Sequence, residues 1–243
     1  TRFNGVFDGQ GHTVNNIYCQ RYSDKGFPYS MAVGLVGFLG GRSDISGGTS
    51  DFKDGWQPAV RNVVVGEGYI RGRRMVGGVV GRVGATNNGI IIENCANRAS
   101  VSNTDAKGVG GILGSASGKG VIRNCYNTGT ISTTYSCPAG GIVGANGGID
   151  VYNCYNVGKI DSNGAHKGRG IGGHDSGSYT VDNCYTLPDC DDDADSKGYY
   201  KGSSRKIEVN VVQVSAAQLK SSSILASLNA NGNIFTTEGG KNS

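Results

Sequence analysis

Ile122-Arg123-Asn124-Cys125 returns 29 residues later as Val151-Tyr152-Asn153-Cys154, and 30 residues after that as Val181-Asp182-Asn183-Cys184. It is preceded, 30 residues upstream, by Ile92-Glu93-Asn94-Cys95. Val60-Arg61-Asn62-Val63 and Val14-Asn15-Asn16-Ile17 read as looser copies. A second motif runs in phase with the first: Gly34-Leu35-Val36-Gly37, Gly78-Val79-Val80-Gly81, Gly111-Ile112-Leu113-Gly114, Gly141-Ile142-Val143-Gly144 and a degenerate Gly170-Ile171-Gly172-Gly173. Short apolar pairs after a turn, as in Gly129-Thr130-Ile131 and Gly158-Lys159-Ile160, make a third element. A fixed period of this kind is the mark of a repeat architecture.

Each unit reads as short strands of Val and Ile separated by Gly, Asn and Ser, too short and too β-branched for helices. Hairpins would need complementary neighbouring strands, whereas here one motif must face its own copy. A unit of about 30 residues with three short strands fits one turn of a solenoid. The expected fold is therefore all-β, a parallel β-helix of about six coils stacked about 4.8 Å apart. Glycine allows positive φ and close backbone approach at corners. Asn also tolerates the left-handed region, and its amide can bond its counterpart one rung along. Asn62, Asn94, Asn124, Asn153 and Asn183 are read as a corner ladder, with Cys95, Cys125, Cys154 and Cys184 stacked inside.

Residues 1–190 are expected to form the repeats, interrupted by an insertion loop over 38–59 that carries Trp56 and Pro58. Residues 191–243 are read as an acidic loop, a strand from Ile207 to Val214 and a helix from Ser215 to Asn229. Ser215 and Gln218 stand at capping-box spacing, and Ala216, Leu219, Ile224, Leu225 and Leu228 supply an apolar face. A solenoid end exposes unpaired backbone and open core, so this helix is expected as its cap. The opposite end begins at Thr1 in what reads as the middle of a coil, suggesting a mature or truncated piece.

Composition agrees with a repeat. Glycine supplies 43 of 243 residues, against a usual share of about 7%. Only 4 prolines and no three-residue period rule out collagen. The net charge of +4 is mild. The basic clusters Arg71/Arg73/Arg74 and Lys201/Arg205/Lys206 lack the aromatic interleaving of a nucleic-acid groove, so no nucleic-acid partner is expected. No apolar run reaches the roughly 18 residues of a membrane span.

The run Phe3-Asn4-Gly5-Val6-Phe7-Asp8-Gly9-Gln10-Gly11-His12-Thr13, together with the two repeated motifs, resembles the GLUG-motif repeats of bacterial surface proteins. Ala217-Gln218-Leu219-Lys220 through Leu228-Asn229 is similar to the segment that closes such regions. In that family the repeats occur in adhesin-like proteins, carbohydrate-active multidomain proteins and non-catalytic parts of immunoglobulin-A-cleaving metallopeptidases. The resemblance implies a right-handed helix and an extracellular bacterial setting. It transfers no catalytic residue.

The chemistry-bearing residues are few. His12, His166 and His174 do not stand in His-Glu-x-x-His spacing. The seven cysteines lack Cys-x-x-Cys pairs, and the ladder four read as buried free thiols. Cys19, Cys137 and Cys190 fall outside the ladder and leave room for one disulfide. Asp189, Asp191, Asp192, Asp193 and Asp195 make an oxygen-rich run that could hold calcium or be a solvated turn; no other cofactor is expected. Tyr126, Tyr155 and Tyr185 follow the ladder cysteines, and alternation turns them outward. They read as an exposed strip, either a platform for sugar rings or self-stacking that steadies the sheet. The expectation is a non-catalytic surface region that binds host or environmental glycans or proteins. The alternatives are a polysaccharide lyase or glycosidase, and an accessory region of a larger secreted peptidase.

Overall fold

The structure, a computed structural model, describes residues 2–21, 32–41, 57–84, 86, 88–105, 107–162, 168–190, 198–199, 208–230 and 235. Successive copies of the repeat lie one above the next, and their strands pair in parallel and in register. Ile92 faces Val60 on one side and Ile122 on the other, and Ile122 in turn faces Val151. The chain is a parallel β-solenoid.

Each turn contributes to five rows of short strands. The first row holds Val6–Asp8, Ala59–Arg61, Ile90–Glu93, Gly120–Arg123 and Ile149–Tyr152. The second holds Thr13–Val14, Val64–Val65, Ala96–Asn97, Tyr126–Asn127 and Tyr155–Asn156, and Thr180–Thr186 pairs with the last strand of both rows. The third row runs from Ile17–Arg21 through Gly68–Gly72, Ser100–Asn103 and Ile131–Thr133 to Ile160–Ser162. The fourth is Ala32–Val33, Met75–Gly77, Gly108–Gly110 and Ala139–Gly140. The fifth is Val36–Leu39, Val80–Val83, Leu113–Ala116, Val143–Asn146 and Gly172–Asp175.

The four-stranded fourth row limits the solenoid to about four full turns, fewer than the six coils expected from motif copies. Two copies account for the difference. Val14-Asn15-Asn16 pairs beside Val65 and is not a ladder corner at all. The copy in Thr180–Thr186 ends the stack, and the turn before it reaches the fourth row only through an isolated Gly140–Arg169 bridge. The insertion is also shorter than 38–59: Phe38 and Leu39 are buried in a fifth-row strand, and Ala59 in a first-row one. Trp56 lies outside the described residues.

Alternation explains the core. Ile90 and Ile92 are buried while Ile91 and Glu93 between and after them are not. Inward positions stack like on like, as in Val101, Ile131 and Ile160. Each fully buried side chain of this size contributes roughly 1.5–3 kcal/mol. The fourth and fifth rows meet so closely that a Cβ on Gly114 would lie 2.6 Å from the Val76 nitrogen. This is why the glycine pairs recur. In the degenerate copy, Gly172 faces Val143, and the ring of Tyr199 occupies the space its side chain would need.

The corner between the first two rows is the left-handed Asn. Asn62, Asn94, Asn124, Asn153 and Asn183 have φ between 51 and 55°. Each amide donates to the oxygen of the preceding rung: Asn94 to Asn62 at 2.9 Å, Asn124 to Asn94 at 3.1 Å, Asn153 to Asn124 at 3.2 Å and Asn183 to Asn153 at 2.7 Å. Substituting Asn124 by Ala leaves the Asn153 amide without its acceptor and places a Cβ-bearing residue with no local hydrogen bond in the left-handed region. The expected cost is about 2–4 kcal/mol in urea unfolding. Asn124→Gly should cost clearly less, because it relieves the backbone part; equal losses would show that φ does not matter here.

Candidate functional site

Outward from the corner, first-row side chains line up rung by rung. The series runs Asp8, Arg61, Glu93, Arg123, Tyr152, Asp182. Opposite charges alternate, and they bind: Arg61 Nε donates to Asp8 at 3.0 Å, and Arg123 grips Glu93 Oε2 through Nε at 2.8 Å and a terminal nitrogen at 2.7 Å. Beside the Glu93–Arg123 pair lies a cleft of about 500 Å³ lined by Glu93, Asn94, Val121, Arg123, Asn124, Tyr152 and Asn153. It offers a phenol ring, a guanidinium and a corner of fixed amides. Its single carboxylate is neutralised by its own guanidinium.

The ladder is closed at both ends. Asn62 donates to Asp8 Oδ1 at 3.0 Å, so a carboxylate takes the place of the first rung's Asn. The backbone amide of Gln10, then the amide of Asn62 and the nearby Arg61, hold the Asp8 carboxyl below its ordinary value of 3.8. At the far end Asn183 donates to the Ser227 carbonyl at 2.8 Å and accepts from the Ser227 hydroxyl at 2.6 Å.

A second ladder was not read from the sequence. Asn97 donates to Asn127 at 2.7 Å and Asn127 to Asn156 at 2.8 Å, all three fully buried. Each also donates to the carbonyl two residues on, at Ala99, Gly129 and Gly158. The signal was present as an Asn three residues after Asn94, Asn124 and Asn153.

Cys95, Cys125, Cys154 and Cys184 lie inside the core, and all seven cysteines are free. Burial pushes the Cys95 and Cys154 thiols well up, which keeps them protonated. No bridge joins Cys19, Cys137 or Cys190: Cys137 is buried against Asn103 and Thr133, while Cys19 sits on the first rung, half-exposed.

Tyr126, Tyr155 and Tyr185 do point out of the coil, but the expectation of an exposed strip is corrected. They are only 4, 9 and 9% accessible. Tyr126 and Tyr155 stack at 5.1 Å with planes 4° apart, and Phe235 stands edge-on to both. Val214, Leu228 and Phe235 complete the cover, and burial pushes the Tyr155 phenol upward. The C-terminal segment therefore divides its work. The strand Glu208–Gln213 pairs with Thr180–Thr186 and seats Val209 and Val211 against the core end. The helical part covers the tyrosines instead of the end. It is two helices, α1 (Ala216–Leu219) and α2 (Ser222–Leu228), because Ser221 starts a new cap with its hydroxyl accepting from Ile224. The Ser215–Gln218 capping box forms.

Asp189 is exposed in a 3-10 turn, Pro188–Cys190; Asp191, Asp192, Asp193 and Asp195 lie outside the described residues, as does His166. Among the described residues no three His, Cys, Asp or Glu side chains cluster as metal ligands. His12 is exposed in a turn, its backbone amide donating to Gly9 at 2.8 Å, and His174 is half-buried in register with Ala145. No helix among the described residues is long and apolar enough to cross a membrane.

The repeated cassette can now be compared with known proteins. Residues 105–132 match the family model of the GLUG motif. The chain carries the GLUG motif. That matched copy is one of those whose strands stack here in register. The fold is similar to the 1.30 Å crystal structure of a "putative immunoglobulin A1 protease" from Bacteroides ovatus, with a TM-score of 0.60 and 19% identity over 93% of this chain and 73% of that one. No curated protein matches the chain.

Two outcomes follow from this geometry. The Asp8 carboxyl should titrate with a midpoint below 3.8. Its bonds to Gln10 and Asn62 then persist above the unfolded-state value and are lost as pH falls through the folded one. An NMR titration of the Gln10 amide reads this, and a midpoint at or above the ordinary value would contradict it. Phe235→Ala should cost about 3 kcal/mol of local stability, seen as faster proteolysis beyond Gln213 and newly exposed tyrosines, with the core amides still protected.

Proposed function

We infer that this chain is a non-catalytic, extracellular β-solenoid region of a bacterial surface or secreted protein, and that its corner groove holds a glycan. The groove carries this reading. Tyr152 offers a ring for a sugar face, while Arg123, Glu93 and the corner amides offer donors and acceptors suited to hydroxyl groups. These groups stand on successive rungs about 4.8 Å apart, so an extended polymer can meet several in succession. Glycoside hydrolysis ordinarily needs two carboxyl groups flanking the bond. The groove lining has Glu93 alone, clamped by Arg123. The GLUG motif and the Bacteroides fold neighbour support the extracellular bacterial setting.

A second reading, an accessory region of a secreted peptidase, is favoured by the likeness to the Bacteroides ovatus structure. In that case the gene that contains this segment would also encode a peptidase centre, such as a His-Glu-x-x-His helix.

A glycan array paired with a polysaccharide-degradation assay tests the first reading. Binding without product is expected, with Arg123→Ala and Tyr152→Ala each weakening it about tenfold, or 1.4 kcal/mol. Release of unsaturated or reducing-end products would make the chain an enzyme. Unchanged binding in both variants would remove the groove from the account.

A further inference from the structure

The third row presents a different surface. Its outward positions are Tyr18 and Gln20 on the first rung, Tyr69 and Arg71 on the second, then Ser100 and Ser102, then Thr130 and Ser132, and last Lys159 and Asp161. Two rungs of large planar groups thus stand beside a flat hydroxyl-lined floor. Tyr18 is 66% accessible, whereas Tyr126, Tyr155 and Tyr185 are covered. Its ring meets Tyr69 edge-on at 5.1 Å, and the Arg71 guanidinium lies 4.6 Å over the Tyr69 ring.

The charge on Arg71 is what distinguishes this cluster. Arg61, Arg73, Arg74 and Arg123 each lie within 4 Å of a carboxylate. Arg71 lies over the Tyr69 ring and, among the described residues, is in no ion pair. The row's own carboxylate, Asp161, is three rungs away, about 14 Å at the usual spacing. Stacking on an aromatic face orients a guanidinium but leaves its in-plane N–H fork free for a carboxylate or sulfate. The exposed ring of Tyr18 adds an apolar face, and Gln20 beside it adds an amide.

We propose that Tyr18, Gln20, Tyr69 and Arg71 form a binding site for an acidic polysaccharide, separate from the corner groove. A sugar ring lies on Tyr18, its anionic group takes the Arg71 fork, and the chain continues across the hydroxyl-lined floor. The site does not depend on the groove being occupied. Titration calorimetry of the full chain with oligogalacturonate, a heparin hexasaccharide and neutral maltohexaose tests it, the first two separating carboxylate from sulfate recognition. At least one anionic probe should bind tenfold or more tighter than the neutral one, and its binding should weaken with added salt. Arg71→Gln and Tyr18→Ala should each cost tenfold or more with unchanged thermal melting. Arg71→Lys should recover only part, and Lys220→Gln, an exposed cation at the C-cap of α1 away from both sites, should have no effect. Failure of both anionic probes, equal binding of the neutral one, or a Lys220→Gln loss as large as that of Arg71→Gln would overturn the proposal.

Discussion

The structure depends on one constraint: a residue and its copy about thirty positions later must lie directly above one another. Parallel pairing in register makes this possible, but the pairing alone does not define where each turn bends. The left-handed Asn does. It turns the chain between the first two rows at the same point on each rung, and its amide then ties that point to the rung below. Aligned amides polarise one another, so the ladder acts as a chain with a direction. That direction explains its two ends. A carboxylate, Asp8, receives the last donated hydrogen bond, and at the other end the hydroxyls of Ser227 in α2 and of Tyr185 donate to the Asn183 oxygen in place of a next-rung amide.

The same register dictates what the outer surface can be. Any side chain repeated by the cassette becomes a row, so a repeated tyrosine becomes a stack whether or not a ligand uses it. Three outward tyrosines in a line would expose a large apolar patch, of the sort that monomeric proteins tend to cover. Here Val214, Leu228 and Phe235 cover it. The surfaces left open are those where the cassette varies: the alternating charges beside the corner, and the aromatic-to-serine step on the third row. Variation within a rigid repeat gives individual rungs their own chemistry while the neighbouring rungs hold them in place.

Much of this was legible in the sequence because the period is short-range information. The corner Asn residues, the inward cysteines and the parallel stack all follow from copies that recur at nearly constant spacing. The second Asn ladder at Asn97, Asn127 and Asn156 was equally visible in principle, three residues beyond the first, but a buried amide row is not expected from polarity alone. It is tolerated because each amide has both a neighbouring rung and a nearby carbonyl to bond. The coil count went astray where Val14-Asn15-Asn16-Ile17 imitates the motif one row too late.

By itself, then, the sequence determined the repeating unit, the rows its residues occupy and which side of the wall each faces, because alternation and period are local properties of the chain. Only the tertiary structure decided where the non-repeating C-terminal segment goes. Its strand closes the core end while its helices and Phe235 fold across the tyrosines, which turned an expected open strip into an interior contact. No period governs that choice. It rests on which unpaired apolar surface a non-repeating segment can reach, and that surface exists only once the rungs have stacked.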